Sequence, residues 1–136
     1  MEKITFKTSY KKQLADTLTP VSIYLRLRDK FAESILLESS DYHGNENSFS
    51  YVCCEPMATF KVANGQLTIT GREGQEEKSV IDKQDVLAAL DDFRNKFESN
   101  QNFGFKFVTN GLFGYIGYES VQYFEDINLA KKDAEI

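Results

Sequence analysis

The run Ile35-Leu36-Leu37 constrains this chain more tightly than any other stretch. Consecutive large aliphatic residues on a strand point alternately to its two faces, so such a strand needs apolar cover on both sides. The run is cut off at once by Glu38, Ser39 and Ser40. A carboxylate and two hydroxyls thus stand where an apolar strand reaches the rim of the core, and an ammonium group could be held there. The plainer alternative is that Glu38 opens the polar stretch Asp41 to Ser48, and spacing alone leaves both readings open.

The flanking sequence supplies layers to cover that strand. Ile4, Phe6, Thr8 and Tyr10 alternate with more polar residues, which predicts a first strand with one buried face. Residues 11–18 read as a loop. Thr19-Pro20 marks a helix start, Thr19 as N-cap and Pro20 at the first helical position. Val21, Ile23, Tyr24, Leu27 and Phe31 then predict a packing helix of about three turns.

Phe49 to Cys54 reads as a strand stopped by Glu55-Pro56. Thr59–Val62 and Leu67–Thr70 flank Asn64-Gly65, a strong hairpin signal. Residues 71–78 are polar and acidic, an exposed loop or sheet edge. Asp82 is placed to cap a second helix reaching Phe97, with Val86, Leu87, Leu90, Phe93 and Phe97 as its apolar stripe. Further on, Phe103, Phe105 and Phe107 alternate, Gly111 to Tyr118 interleaves glycine with Leu, Phe, Tyr and Ile, and Glu119–Phe124 suits a helical turn. The tail from Asn128 carries few apolar residues.

Composition sets further bounds. The 136 residues fit one domain, 1–136, with 41% hydrophobic residues including 11 Phe and 7 Tyr, enough for a core. A net charge of −5 argues against a nucleic-acid or anionic-membrane partner, since phosphate binding needs clustered Lys and Arg. No apolar run approaches the ~20 residues of a membrane helix, and Met1-Glu2-Lys3 does not lead into a signal-peptide core. Cys53 and Cys54 are adjacent and would point to opposite strand faces, which disfavours a disulfide between them and suggests a reducing cytoplasm.

No catalytic constellation emerges. The carboxylate pairs Glu76-Glu77, Asp91-Asp92 and Glu125-Asp126 diverge on a helix or strand, whereas acid–base chemistry needs convergence in a cleft. His43 is the only histidine and has no metal-ligating neighbourhood; no metal site is expected. Gly111, Gly114 and Gly117 lack the helix start and the Lys-Ser/Thr of a phosphate loop, and read instead as permitting close approach of another backbone.

Four stretches together resemble the N-terminal region of anthranilate synthase component I, of the chorismate-utilising enzymes. They are Thr19-Pro20-Val21-Ser22-Ile23-Tyr24; Ile35-Leu36-Leu37-Glu38-Ser39; Phe49-Ser50-Tyr51 with Glu55-Pro56; and Gly111 to Glu119, continuing through Val121-Gln122-Tyr123-Phe124-Glu125. Each is weak alone, but they occur in family order and span most of the chain. The Leu-Leu-Glu-Ser form favours anthranilate synthase over aminodeoxychorismate synthase, the alternative family member. A stand-alone small-molecule-binding module is the third reading.

The resemblance implies an α+β fold: an antiparallel sheet with two to three helices, part of an orthogonal β-sandwich with outer helices. It implies a C-terminal catalytic portion, holding the chorismate site and Mg²⁺-binding carboxylates, that these residues lack. It further implies a glutamine amidotransferase partner and a non-catalytic, cytoplasmic piece free to self-associate through an uncovered apolar face. By the same resemblance Leu37, Glu38, Ser39, Ser50 and Tyr51 form the binding site for the feedback inhibitor L-tryptophan, with Glu38 on its ammonium. Many members carry a basic residue just before the aromatic-Ser pair, where this chain has Asn47-Ser48.

Overall fold

A computed structural model describes residues 3–38, 49–99 and 103–125. The element order is β1 (Ile4–Thr5), α1 (Pro20–Leu27), β2 (Ile35–Glu38), β3 (Ser50–Cys53), β4 (Ala58–Ala63), β5 (Gln66–Gly71), β6 (Glu76–Val80), α2 (Val86–Asn95) and β7 (Phe97–Glu98). Short 3₁₀ segments cover Lys83–Asp85 and Tyr118–Tyr123. The class is α+β, and among the described residues the strands fall into three small sheets: β1–β7, β2–β3 and β4–β5–β6.

The meander β4–β5–β6 follows from its turn chemistry and alternation. Asn64 and Gly65 both take positive φ, 52° and 72°, which closes a two-residue hairpin with the twist that antiparallel strands favour. The register sets Phe60 opposite Ile69 and Val62 opposite Leu67, so these four share one face, while Thr59, Lys61, Thr68 and Thr70 share the other. α2 lies on the apolar face, with Phe93 5.4 Å from Phe60 and 5.2 Å from Phe97 between ring centroids. Among the described residues Leu67, Val86 and Phe93 are the buried hydrophobic core. The acidic stretch forms an edge, as its composition predicts: β6 is exposed throughout, and Glu77 and Ser79 stand opposite Ile69 and Leu67. Charge on an edge strand discourages further pairing there.

Several elements differ from expectation. The first strand stops at Thr5, because its partner β7 is itself two residues long, and the pair is parallel rather than antiparallel. The alternation persists in burial as far as Thr8: Ile4, Phe6 and Thr8 are half-buried while Lys3, Thr5 and Lys7 are exposed, but Tyr10 is 62% exposed rather than on a buried face. Thr19 caps α1 as predicted, in a reciprocal box with Ser22. The helix is nevertheless only 8 residues long. After Leu27 the chain turns: the Phe31 N–H bonds the Leu27 carbonyl, the Ser34 hydroxyl bonds the Phe31 carbonyl, and Glu33 takes φ 56°. Asp82 has the extended backbone of an N-cap, but its side chain caps nothing; a 3₁₀ turn intervenes before α2. Phe97 lies in β7, beyond the helix.

Gly111–Gly117 forms no strand. Among the described residues a Cβ at Gly114 or Gly117 would meet nothing within 4 Å, so no described backbone requires either glycine. The single antiparallel sheet is likewise replaced by separate small ones. Ser39, Ser40, His43, Asn47, Ser48 and the tail from Asn128 lie outside the described residues.

Candidate functional site

β2 and β3 form an antiparallel pair in which Ile35 faces Cys53, Leu36 faces Val52, Leu37 faces Tyr51 and Glu38 faces Ser50. Directly opposed side chains share a face and successive ones alternate. Leu37 and Tyr51 therefore stand on one face, with Ile35 and Cys53, and the aromatic Phe49 lies just before β3. Glu38 and Ser50 stand on the other. Four of the five residues expected to bind a ligand thus gather at one end of one hairpin, divided between its two faces. Ser39, the fifth, lies outside the described residues.

The two faces differ in chemistry. Glu38 and Ser50 are exposed, while Leu37 and Tyr51 are half-buried. Among the described residues Glu38 has no cationic partner, so its charge is open to an incoming ammonium. Phe107, Val108 and Phe113 lie against the Tyr51 face. The Val108 N–H donates to the Tyr51 phenol oxygen at 3.2 Å. Phe113 lies 5.1 Å from Tyr51, and Phe107 lies 5.3 Å from Phe49, between ring centroids.

Aromatic packing continues away from this rim. Phe107 stacks on Phe105 at 4.9 Å with an interplanar angle of 9°, and Phe105 and Phe103 both meet Tyr10 edge-on. The Thr8 hydroxyl donates to the Asn110 side-chain oxygen at 2.9 Å, tying the first segment to the same cover. Offset and edge-on rings of this kind each contribute about 0.5–1.5 kcal/mol beyond their burial. The Phe103, Phe105, Phe107 alternation was the available signal for this cover, but nothing local in it names Phe49 and Tyr51 as its target.

At the far end of β3, Cys53 and Cys54 are free and half-buried. Burial, and then the neighbouring Cys54 charge, pushes the Cys53 thiol up, which makes it a poorer nucleophile at neutral pH. Among the described residues, no group of three or more His, Cys, Asp or Glu side chains could hold a metal ion, and no helix is long and apolar enough to cross a membrane.

The fold and this rim define a small α+β module with an acidic, hydroxyl-bearing strand end beside an aromatic wall. By sequence the chain is a homologue of anthranilate synthase component 1. It is 30% identical to that protein of Lactococcus lactis over 121 residues, 88% of this chain and 24% of the relative. The Thermus thermophilus relative is 32% identical over 88% of this chain and 24% of its own length. That of Pseudomonas putida is 33% identical over 82% of this chain and 22% of its own. The chain thus spans about a quarter of the length of these curated relatives. No family model matches the chain, and no solved structure matches it.

Proposed function

We propose that this chain is the N-terminal, tryptophan-binding regulatory and structural part of an anthranilate synthase component 1. In this reading the longer polypeptide converts chorismate to anthranilate in tryptophan biosynthesis, in the cytoplasm, with ammonia from a glutamine amidotransferase partner. The 136 residues act as one non-catalytic domain. Its sheets join a C-terminal catalytic portion in an orthogonal sandwich with outer helices.

The observation that carries the reading is the β2–β3 rim in a chain with this homology. Glu38 and Ser50 on adjacent strands offer a carboxylate and a hydroxyl to an ammonium group. Leu37, Tyr51 and Phe113 supply an apolar wall round the same strand end. An amino acid with an indole side chain would meet both by straddling the rim. A charge-assisted hydrogen bond to Glu38 contributes roughly 1.5–3 kcal/mol, and each Å² of indole surface removed from water about 25 cal/mol.

In this reading the Mg²⁺-binding carboxylates belong to the C-terminal catalytic portion. This chain's part is regulatory: tryptophan inhibits only insofar as it binds two conformations of the whole enzyme unequally. The assay is anthranilate formation from chorismate by the full product of the gene, with and without L-tryptophan. The expected result is inhibition relieved by Glu38→Gln. Identical kinetics with and without tryptophan, or no anthranilate formed, contradicts the proposal.

A further inference from the structure

An α-amino acid carries two charges on one carbon, and Glu38 answers only the ammonium. A carboxylate that leaves water needs a cation or hydrogen-bond donors in its place. The strands themselves supply no cation: Ile35–Glu38 and Ser50–Cys53 hold one acid and no base. The complementary charge has to come from what packs beside the hairpin.

The packing of residues 106–108 points to one side chain. Contacts run in the same order along this segment and along β3. The Phe107 ring lies 5.3 Å from that of Phe49, and the Val108 N–H donates to the Tyr51 hydroxyl at 3.2 Å. Lys106, one residue before Phe107, therefore stands toward the open end of the hairpin, where Glu38 and Ser50 form the last described rung. Phe105 and Phe107, on either side of it, stack on each other at 4.9 Å and hold the backbone from which the lysine projects.

Lys106 is exposed, and its own segment carries no Asp or Glu between Glu98 and Glu119. Among the described residues neither Lys106 nor Glu38 enters an ion pair. Two opposite charges at one rim, not joined to each other, suit a zwitterion that bridges them. The ammonium then meets Glu38, the carboxylate meets Lys106, and the side chain lies against the aromatic wall. Lysine suits the task because its ammonium is a point charge on a flexible four-carbon stem.

We propose, resting on the tryptophan reading, that Lys106 holds the carboxylate of the amino acid bound at the β2–β3 rim. Lys106 then makes the site select an α-amino acid zwitterion over an amine that carries the same indole.

Calorimetric titration of the full gene product with L-tryptophan and with tryptamine separates the two contacts, since tryptamine keeps the indole and the ammonium but lacks the carboxylate. The unaltered protein should bind L-tryptophan roughly tenfold or more tighter than tryptamine, a comparison that needs no variant. Lys106→Gln should weaken L-tryptophan about tenfold and leave tryptamine unchanged, and Lys106→Arg should retain tryptophan binding. Glu38→Gln should weaken both ligands. Equal affinity of the unaltered protein for the two ligands overturns the proposal. So does Lys106→Gln that leaves tryptophan binding untouched or weakens both ligands alike, while the Glu38 contact still stands. No binding of L-tryptophan by the unaltered protein overturns the tryptophan reading and this proposal with it.

Discussion

Glu38 and Tyr51 belong to neighbouring rungs of one ladder, yet strand alternation sends them to opposite faces and gives them different tasks. Glu38 is a charge left open to solvent. Tyr51 is the post against which Val108 and Phe113 rest, through one hydrogen bond and one ring contact. Tyr51→Phe keeps the ring and removes the acceptor, so urea denaturation should show a loss of about 1 kcal/mol. Tyr51→Ala should cost more, because the Phe113 contact goes with it. Cys53 adds a pH dependence. Its raised pKa means the native state keeps the proton where the unfolded chain has lost it. Its contribution is full below the ordinary thiol value, about 8.5, and is lost as pH rises through the folded value. Denaturation midpoints should therefore fall as pH rises past the ordinary thiol value, and fall less in Cys53→Ala. The sequence marked Glu38 by its abrupt place after three aliphatics. It could not mark Val108 as the donor to Tyr51, a contact across a long separation set by packing alone.

At the scale of elements, what the sequence made legible is what short-range chemistry decides. Thr19-Pro20 predicted a capped helix start, and Thr19 with Ser22 forms the capping box there. Thr19→Ala should cost about 1 kcal/mol of stability in urea denaturation. Asn64-Gly65 predicted a hairpin, and both residues have the positive φ it needs. Gly65→Val, forcing a branched side chain into φ 72°, should destabilise by about 1–2 kcal/mol. Elements whose ends depend on distant partners were less legible. β1 stops where β7 stops, and α1 stops where the chain turns to reach β2. Asp82 has the residue type and backbone of a cap, but the 3₁₀ turn after it leaves its side chain unused. The Gly111–Gly117 pattern reads as a strand meeting another backbone, and within this chain that backbone is absent among the described residues.

For the whole molecule, the core is small for so aromatic a chain. Leu67, Val86 and Phe93 are buried, while Leu14, Val80, Tyr115 and Tyr118 are each more than four-fifths exposed. Phe93, 2% exposed and in ring contact with Phe60 and Phe97, joins α2 to the meander and to β7. Phe93→Ala should cost about 3–5 kcal/mol, much of the total stability of a marginal domain, and should leave the chain largely unfolded by near-ultraviolet circular dichroism. The α+β class was legible from alternating and helical periods. The division into separate sheets was not, because it depends on which strands meet across long separations. The uncovered apolar surface also fits a chain spanning about a quarter of its relatives' length.

The central claim, that the β2–β3 rim takes tryptophan, is tested most directly by the fluorescence of the ligand itself. The chain contains no Trp, so free L-tryptophan can be excited selectively while protein is titrated in. The account predicts a saturable change, weakened roughly tenfold or more in Glu38→Gln and not competed by L-phenylalanine. A flat titration with both this chain and the full gene product, or binding untouched by Glu38→Gln, would contradict it.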